Sequence, residues 1–262
     1  ISDGYPSKIL SGIEDFLASA GFAYFAMSHH RSIERLTKYS QLLVERAVEG
    51  LIFIDTTFTD GLPLPTVAIA GHQNVAGVTN VVLDHRRAAH LALTHLKSLG
   101  HKRIAFMRGQ PFSTDSTTRW NSICEVAKEL QIQIRPELTM QLEEEIGTPQ
   151  VGYPVMKAFL ARKHPFTALF AYNDISAIGA MRALADQGIS VPNDVSVVGF
   201  DDIDAAAFQT PSLTTVRQPL HRMGEIAAQL LLQRLNTSDQ DYPHEIAVEP
   251  ELVVRESTAP VK

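Results

Sequence analysis

Short runs of β-branched and apolar residues alternate along the chain with segments whose apolar residues recur at helical spacing, and this alternation restricts the fold more than any other feature. The runs are Gly50 to Asp55, Pro65 to Ile69, Arg103 to Met107, Ala168 to Ala171, Val195 to Phe200 and Leu213 to Val216. Each is too short and too uniformly apolar for a half-exposed strand, and each reads as a strand buried on both faces. Between them, Ile9, Ile13, Phe16 and Leu17, or Ala89, Leu91, Ala92, Leu96 and Leu99, describe amphipathic helices. Gly21, Gly50, Gly100 and Gly188 mark helix ends, and Pro192 follows the last of these. Strand and helix in turn predict an α/β fold with a mostly parallel sheet, since parallel neighbours need crossover connections.

The opening Ile1-Ser2-Asp3-Gly4-Tyr5-Pro6 leads directly into a helix pattern, so the strand that this order calls for ahead of it is expected upstream. The 262 residues can form one large domain or two small ones, with 45% hydrophobic residues to fill a core. The formal net charge of -6 argues against these residues gripping nucleic acid, which calls for a basic face. The single cysteine, Cys124, excludes an intrachain disulfide and reads as a small buried hydrophobe. No run approaches the roughly 18 apolar residues of a membrane span, and nothing resembles a signal peptide. A cytoplasmic location is the expectation.

In open α/β sheets ligands bind beyond the carboxyl ends of the strands. The polar residues there are Asp55 and Thr56, Arg108, Asn173 and Asp174, Asp201 and Asp202, and Arg217 and Gln218. Carboxylates that accept from hydroxyls, guanidinium forks and neutral amides form a set that a polyhydroxylated ligand can satisfy. The alternative is that Asp and Asn in these places cap helices, and it stays open for Asp174 and Asp202 above all. Motifs for a hydrolase nucleophile elbow, a phosphate loop, a dinucleotide fingerprint and a zinc-protease helix are missing from the sequence. The adjacent His29 and His30 point apart and read as surface residues, and Glu143, Glu144 and Glu145 as a solvated run. No cofactor, metal site or catalytic residue is expected.

Val191-Pro-Asn-Asp-Val-Ser-Val-Val-Gly-Phe-Asp-Asp-Ile203 and Thr210-Pro-Ser-Leu-Thr-Thr-Val-Arg-Gln-Pro219 resemble the signature of the LacI/GalR family of transcription regulators. Ile9 to Glu14, Leu96 to Ala105, Ala171 to Ala180 and the ending Pro250 to Ser257 are similar to that family as well. The resemblance implies two similar doubly wound parallel-sheet lobes, periplasmic binding protein-like, with a ligand cleft between them. It places an amino-terminal lobe at residues 1–83 plus 217–244 and a carboxy-terminal lobe at 84–216 plus 245–262. An upstream helix-turn-helix, absent from this sequence, would contact operator DNA.

The implied effector-binding residues are Tyr5, Arg119, Asn173, Asp201 and Gln218. The resemblance implies a repressor core that senses a small sugar-like effector and works as a homodimer. Apolar helices near Ser32 to Val48 and Met223 to Leu235 are the candidate dimer surface. An exported sugar-binding protein of a transporter is the alternative. Ala70, Gly71 and His72 stand where the family often has an acidic or aromatic residue, Thr117 replaces a usual arginine, and an aromatic is missing near Gly147. These departures imply a roomier or less charged pocket.

Overall fold

A computed structural model describes residues 4–30, 32–57, 64–72, 74–143, 151–237 and 242–261. In chain order its elements are α1 (Gly4–Ser19), α2 (Ile33–Glu45), β1 (Leu51–Ile54), β2 (Thr66–Ile69), β3 (Val78–Leu83), α3 (His85–Ser98), β4 (Ile104–Arg108), α4 (Thr114–Glu129), β5 (Thr139–Gln141), α5 (Gly152–Leu160), β6 (Ala168–Phe170), α6 (Asp174–Asp186), β7 (Ser196–Asp201), α7 (Asp204–Phe208), β8 (Thr214–Arg217), α8 (Leu220–Asn236), β9 (Glu245–Val248) and β10 (Glu251–Val253). All six runs read as strands from the sequence are strands. The strands β3, β5, β9 and β10 are additional. β3 lacked a signal because Thr79 and Asn80 interrupt its apolar run, yet both are buried there. The residues Glu144, Glu145 and Gly147 lie outside the described residues.

The chain divides into two units. The larger comprises Ile1–Tyr5, Leu83–Pro219 and Glu249–Lys262, and the smaller comprises Pro6–Val82 and Leu220–Val248. These limits put Gly4, Tyr5, Leu83 and residues 217–219 in the larger unit and residues 245–248 in the smaller, where the family likeness suggested the other lobe for each. Local pairing explains the difference. Arg217 sits in register with Asp201 on the β7–β8 ladder, Gly4 packs against Ile203, and β9 hydrogen-bonds beside β3.

The larger unit is built on a six-stranded sheet of order β10-β8-β7-β6-β4-β5. The pairs from β5 to β8 are parallel, and β10 joins the edge antiparallel to β8. Central strands buried at every position explain the apolar sequence of β6 and of Val197 to Phe200 in β7. Side chains pack on the sheet with Phe106, Leu169 and Phe200 almost wholly buried, and Phe106 meets Trp120 edge to face at 5.9 Å. Helix starts are capped by their sequence. Asp84 accepts from the Arg87 amide at 2.8 Å, Ser113 from Ser116, and Asn173 forms a capping box with Ser176. The resemblance segment around Gly100 and His101 serves the same unit, since the buried His101 ring lies 3.0 Å from both Thr167 and Ser196 and 3.1 Å from the Ala259 carbonyl.

The smaller unit carries a four-stranded sheet of order β1-β2-β3-β9, parallel across its first three strands. Gly21 adopts the left-handed backbone that ends α1, but Gly50 does not. At the end of α2 it is Ala47 that takes a positive φ, and Gly50 instead leaves room for the Leu231 side chain. The helices α1 and α8 cross where a side chain cannot fit. A Cβ on Gly12 would lie 1.9 Å from the His221 carbonyl oxygen, and one on Gly224 would lie 2.1 Å from that of Ile9. The α5–α6 contact of the larger unit is alike, with a Cβ on Gly152 falling 2.0 Å from the Ser176 carbonyl. Because these obstacles are backbone, the helices would have to separate. Gly224→Ala and Gly152→Ala are each expected to destabilise the protein by about 1–3 kcal/mol or more in urea denaturation; a loss below about 0.5 kcal/mol would show that the crossings are not tight.

Candidate functional site

In the larger unit the strands β4, β6, β7 and β8 run parallel, so their carboxyl ends share one edge of the sheet. Asn173 follows β6, Asp201 ends β7 and Gln218 follows β8. Arg119 comes from the second turn of α4, and Tyr5 from the start of α1. Arg119 lies within electrostatic reach of both Asp201 and Tyr5. The residues named from the resemblance are therefore gathered in the larger unit.

Their positions follow from one buried carboxyl. Asp174 is fully shielded from solvent and accepts hydrogen bonds from the Ile203 amide at 2.9 Å and the Thr215 hydroxyl at 2.6 Å. It thereby ties the start of α6 to the loop after β7 and to β8. Gly199 makes the space, because a Cβ there would fall 2.2 Å from Asp174 Oδ1. Neither alternative read for Asp174 is what the structure shows. Asn173 is the helix cap, its Oδ1 accepting from the Ser176 amide at 2.9 Å, and Asp174 is an internal brace. Asp202 is a brace as well. It accepts from Arg217 at 2.7 Å and from Arg255 at 2.6 Å, and those two arginines draw its carboxyl below the ordinary range against the effect of burial.

The braced loop holds Asp201 at φ 109° and Asp202 at φ 55°, a backbone region that side chains other than glycine rarely adopt. Such strain persists only where surrounding contacts impose it, and it concentrates at functional sites. Here it turns Asp201 inward, where Gln218 Nε2 donates to Oδ1 at 2.7 Å. Burial pushes the Asp201 carboxyl well above its usual range, with the Arg119 charge opposing.

Arg119 is only 4% exposed. Its guanidinium carbon lies 3.6 Å from the Phe200 ring centroid and 4.5 Å from that of Tyr172, so aromatic faces cover the cation. It donates through Nη1 to the Tyr172 carbonyl at 2.5 Å and through Nη2 to Asp115 Oδ2. Burial weakens the cation, but the Asp115 carboxylate beside it outweighs that and holds it charged. Asp115 is in turn fixed by His85, whose Nε2 lies 2.7 Å from Oδ1.

Sequence reading missed Asp115, His85, Tyr172 and Phe200. The Asp-x-x-x-Arg spacing within α4 carried the signal for the first, because residues four apart share a helix face. Nothing local singles out His85 or Phe200. Of the other polar groups considered, Arg108 stacks over Trp120 at 4.9 Å. In the smaller unit, Thr56 is buried and lies 3.1 Å from the half-buried His29, while His30 is exposed. Cys124 is half-buried, not a core residue.

An α/β unit that sets a buried arginine from a helix beside a buried carboxyl at the carboxyl ends of its parallel strands has the form of a small-molecule receptor of the periplasmic-binding-protein type. The comparisons agree. A model of the periplasmic binding protein-like domain matches residues 93–258, more than half of the chain. The chain is 32% identical over 265 residues to the HTH-type transcriptional repressor PurR of Haemophilus influenzae, a match covering 97% of this chain and 77% of that protein. Among solved structures it is similar to a transcriptional regulator, CelR, in complex with cellobiose (26% identity, TM-score 0.86, 98% of this chain and 80% of that one). It is also similar to a LacI family transcriptional regulator from Enterococcus faecium with bound ribose (28% identity, TM-score 0.86, 100% and 97%). The chain belongs to the LacI/GalR family of transcription regulators, and it is the effector-binding domain of such a protein.

The braces make stability depend on pH. Burial pushes the Asp174 carboxyl up to about 7 from 3.8, against the hydrogen bonds from Thr215 and Ile203. Between those pH values the folded state holds a proton that the unfolded chain has released, so stability falls as pH rises, by up to about 1.4 kcal/mol per unit, and levels off above 7. Asp201 contributes with the same sign. Urea denaturation between pH 5 and 8 is expected to show this fall, with a shallower slope in Asp174→Asn; an equal slope in the variant would refute the assignment.

Proposed function

We propose that this domain senses a sugar or sugar derivative for a cytoplasmic transcriptional repressor, binding it at the carboxyl ends of the larger unit's strands without transforming it. The observation that carries this reading is the buried, aromatic-covered Arg119 beside the Gln218-fixed carboxyl of Asp201. Together they offer donors and acceptors in fixed directions, which suits the hydroxyls of a polyol. Asn173 supports the role with its amide nitrogen, its Oδ1 being used by the cap, and Tyr5 lends an aromatic ring nearby. The relatives' names as regulators favour this reading over that of a transporter's binding protein. Operator DNA would be contacted by a separate helix-turn-helix. No described helix is long and apolar enough to cross a membrane.

A ligand that binds only the native state raises the melting temperature, by an amount equivalent to about 2.7 kcal/mol at a hundred times its Kd. Thermal-shift measurements with neutral sugars, including ribose and cellobiose, are expected to reveal such a ligand. Arg119→Ala and Asp201→Ala should each weaken it by about ten- to a hundred-fold. Arg119→Ala should also lower the melting temperature without ligand, because it strands the buried Asp115. Parent-like affinity in both variants would overturn the site.

A homodimer is part of the proposal, and the two candidate helices differ in how well they support it. Most apolar residues of α8, including Met223, Ala227 and Leu231, are buried and so are spent within the chain, while Ile226, Leu232 and Leu235 are half-buried. By contrast α2 has no buried residue, and Ile33 is 81% exposed. Analytical ultracentrifugation is expected to show a concentration-dependent dimer that Ile33→Glu weakens; monomer alone at high concentration would count against it.

A further inference from the structure

Among the described residues Arg119 is the buried cation of the candidate site, and two of its five N–H groups are committed within the protein. Nη2 serves Asp115 and Nη1 serves the Tyr172 carbonyl. A guanidinium grips a phosphate or carboxylate through two parallel N–H groups. Both edges of the guanidinium that can form such a fork share Nη2, so an anion taking either edge would sit against the Asp115 carboxylate that Nη2 already serves. Asp115 is held in that position from the other side, because His85 Nε2 lies 2.7 Å from its second carboxylate oxygen and the side chain is buried. Among the described residues Arg119 Nε has no hydrogen-bond partner, so it and the second N–H of each Nη remain for single hydroxyl or ring oxygens.

Resting on the sugar-sensing reading above, we propose that Asp115 is a specificity-determining residue that neutralises Arg119 and restricts this site to uncharged polyhydroxyl ligands, excluding phosphorylated sugars and sugar acids. Asp115 acts as a built-in counter-anion. It holds the Nη2 corner common to both edges that a phosphate would take, and it adds like-charge repulsion against any anion that approaches. The neighbouring carboxyl of Asp201 adds no positive charge to offset this. Selectivity then comes from a repulsive element as well as from the attractive ones.

The test compares D-ribose, D-ribose 5-phosphate and inorganic phosphate by thermal shift and calorimetry on the parent, Asp115→Asn, Asp115→Ser and Asp115→Asn/Arg119→Ala. The parent is expected to show no stabilisation by either phosphate. In Asp115→Asn or Asp115→Ser the freed arginine should bind ribose 5-phosphate at least about ten-fold more tightly than in the parent, and removing Arg119 should erase the gain. Two serviceable substitutions and the parent's own selectivity guard against a variant that fails to fold. If ribose 5-phosphate stabilises the parent more than ribose does, and Arg119→Ala abolishes the effect, Asp115 does not exclude anions and the proposal fails while the sugar site stands. If both Asp115 variants fold and neither gains affinity for phosphate, the proposal fails too. If no neutral sugar binds the parent but the variants acquire Arg119-dependent phosphate binding, the charge assignment holds and the sugar reading is what falls.

Discussion

The buried carboxyl of Asp174 is the contact on which the arrangement of this site depends. A carboxyl with no access to water is costly unless its oxygens find donors, and here the donors come from two other segments, the Ile203 amide and the Thr215 hydroxyl. Satisfying one group therefore joins α6, the loop after β7 and β8. That loop must then pass through Asp201 and Asp202 with positive φ, and Asp202 is secured by Arg217 and Arg255 from β8 and the carboxy-terminal segment. The site carboxyl Asp201 is held in place by contacts that its neighbours make.

A second buried network supplies the cation. His85, Asp115, Arg119 and the Tyr172 carbonyl form a chain of polar contacts closed over by Phe200 and Tyr172. The hydrogen bonds within such a buried network rigidify the groups it contains. The arginine is thus pre-oriented before any ligand arrives, which reduces the ordering cost of binding. Its charge is shared with Asp115, so what it presents is direction more than net positive charge.

The family's signature segments turn out to serve this bracing. In the Val191 to Ile203 segment, Gly199 is where an apolar strand would be expected to carry a branched residue, and it is glycine because Asp174 fills the space. In the ending that includes Arg255 and Ser257, Arg255 reaches Asp202, and Ser257 donates to the Val197 carbonyl while accepting from the Thr214 amide. The His101 ring binds hydroxyls from two strands and a terminal carbonyl. Residues that carry a likeness to a family need not touch a ligand.

The sequence by itself determined the α/β class and six of the strands, because periodicity is a local property of neighbouring residues. Likeness also pointed to Arg119, Asp201 and Gln218. Only the tertiary structure decided that Asp174 and Asp202 are braces, that Asp115 and His85 share the arginine's network, and that β9 belongs with β3. It also decided that α8 spends its apolar face inside its own unit while α2 does not. Each of these depends on groups far apart in the chain that meet because buried polar atoms must find partners and backbones may approach closely only at glycine, and no window of sequence contains that information.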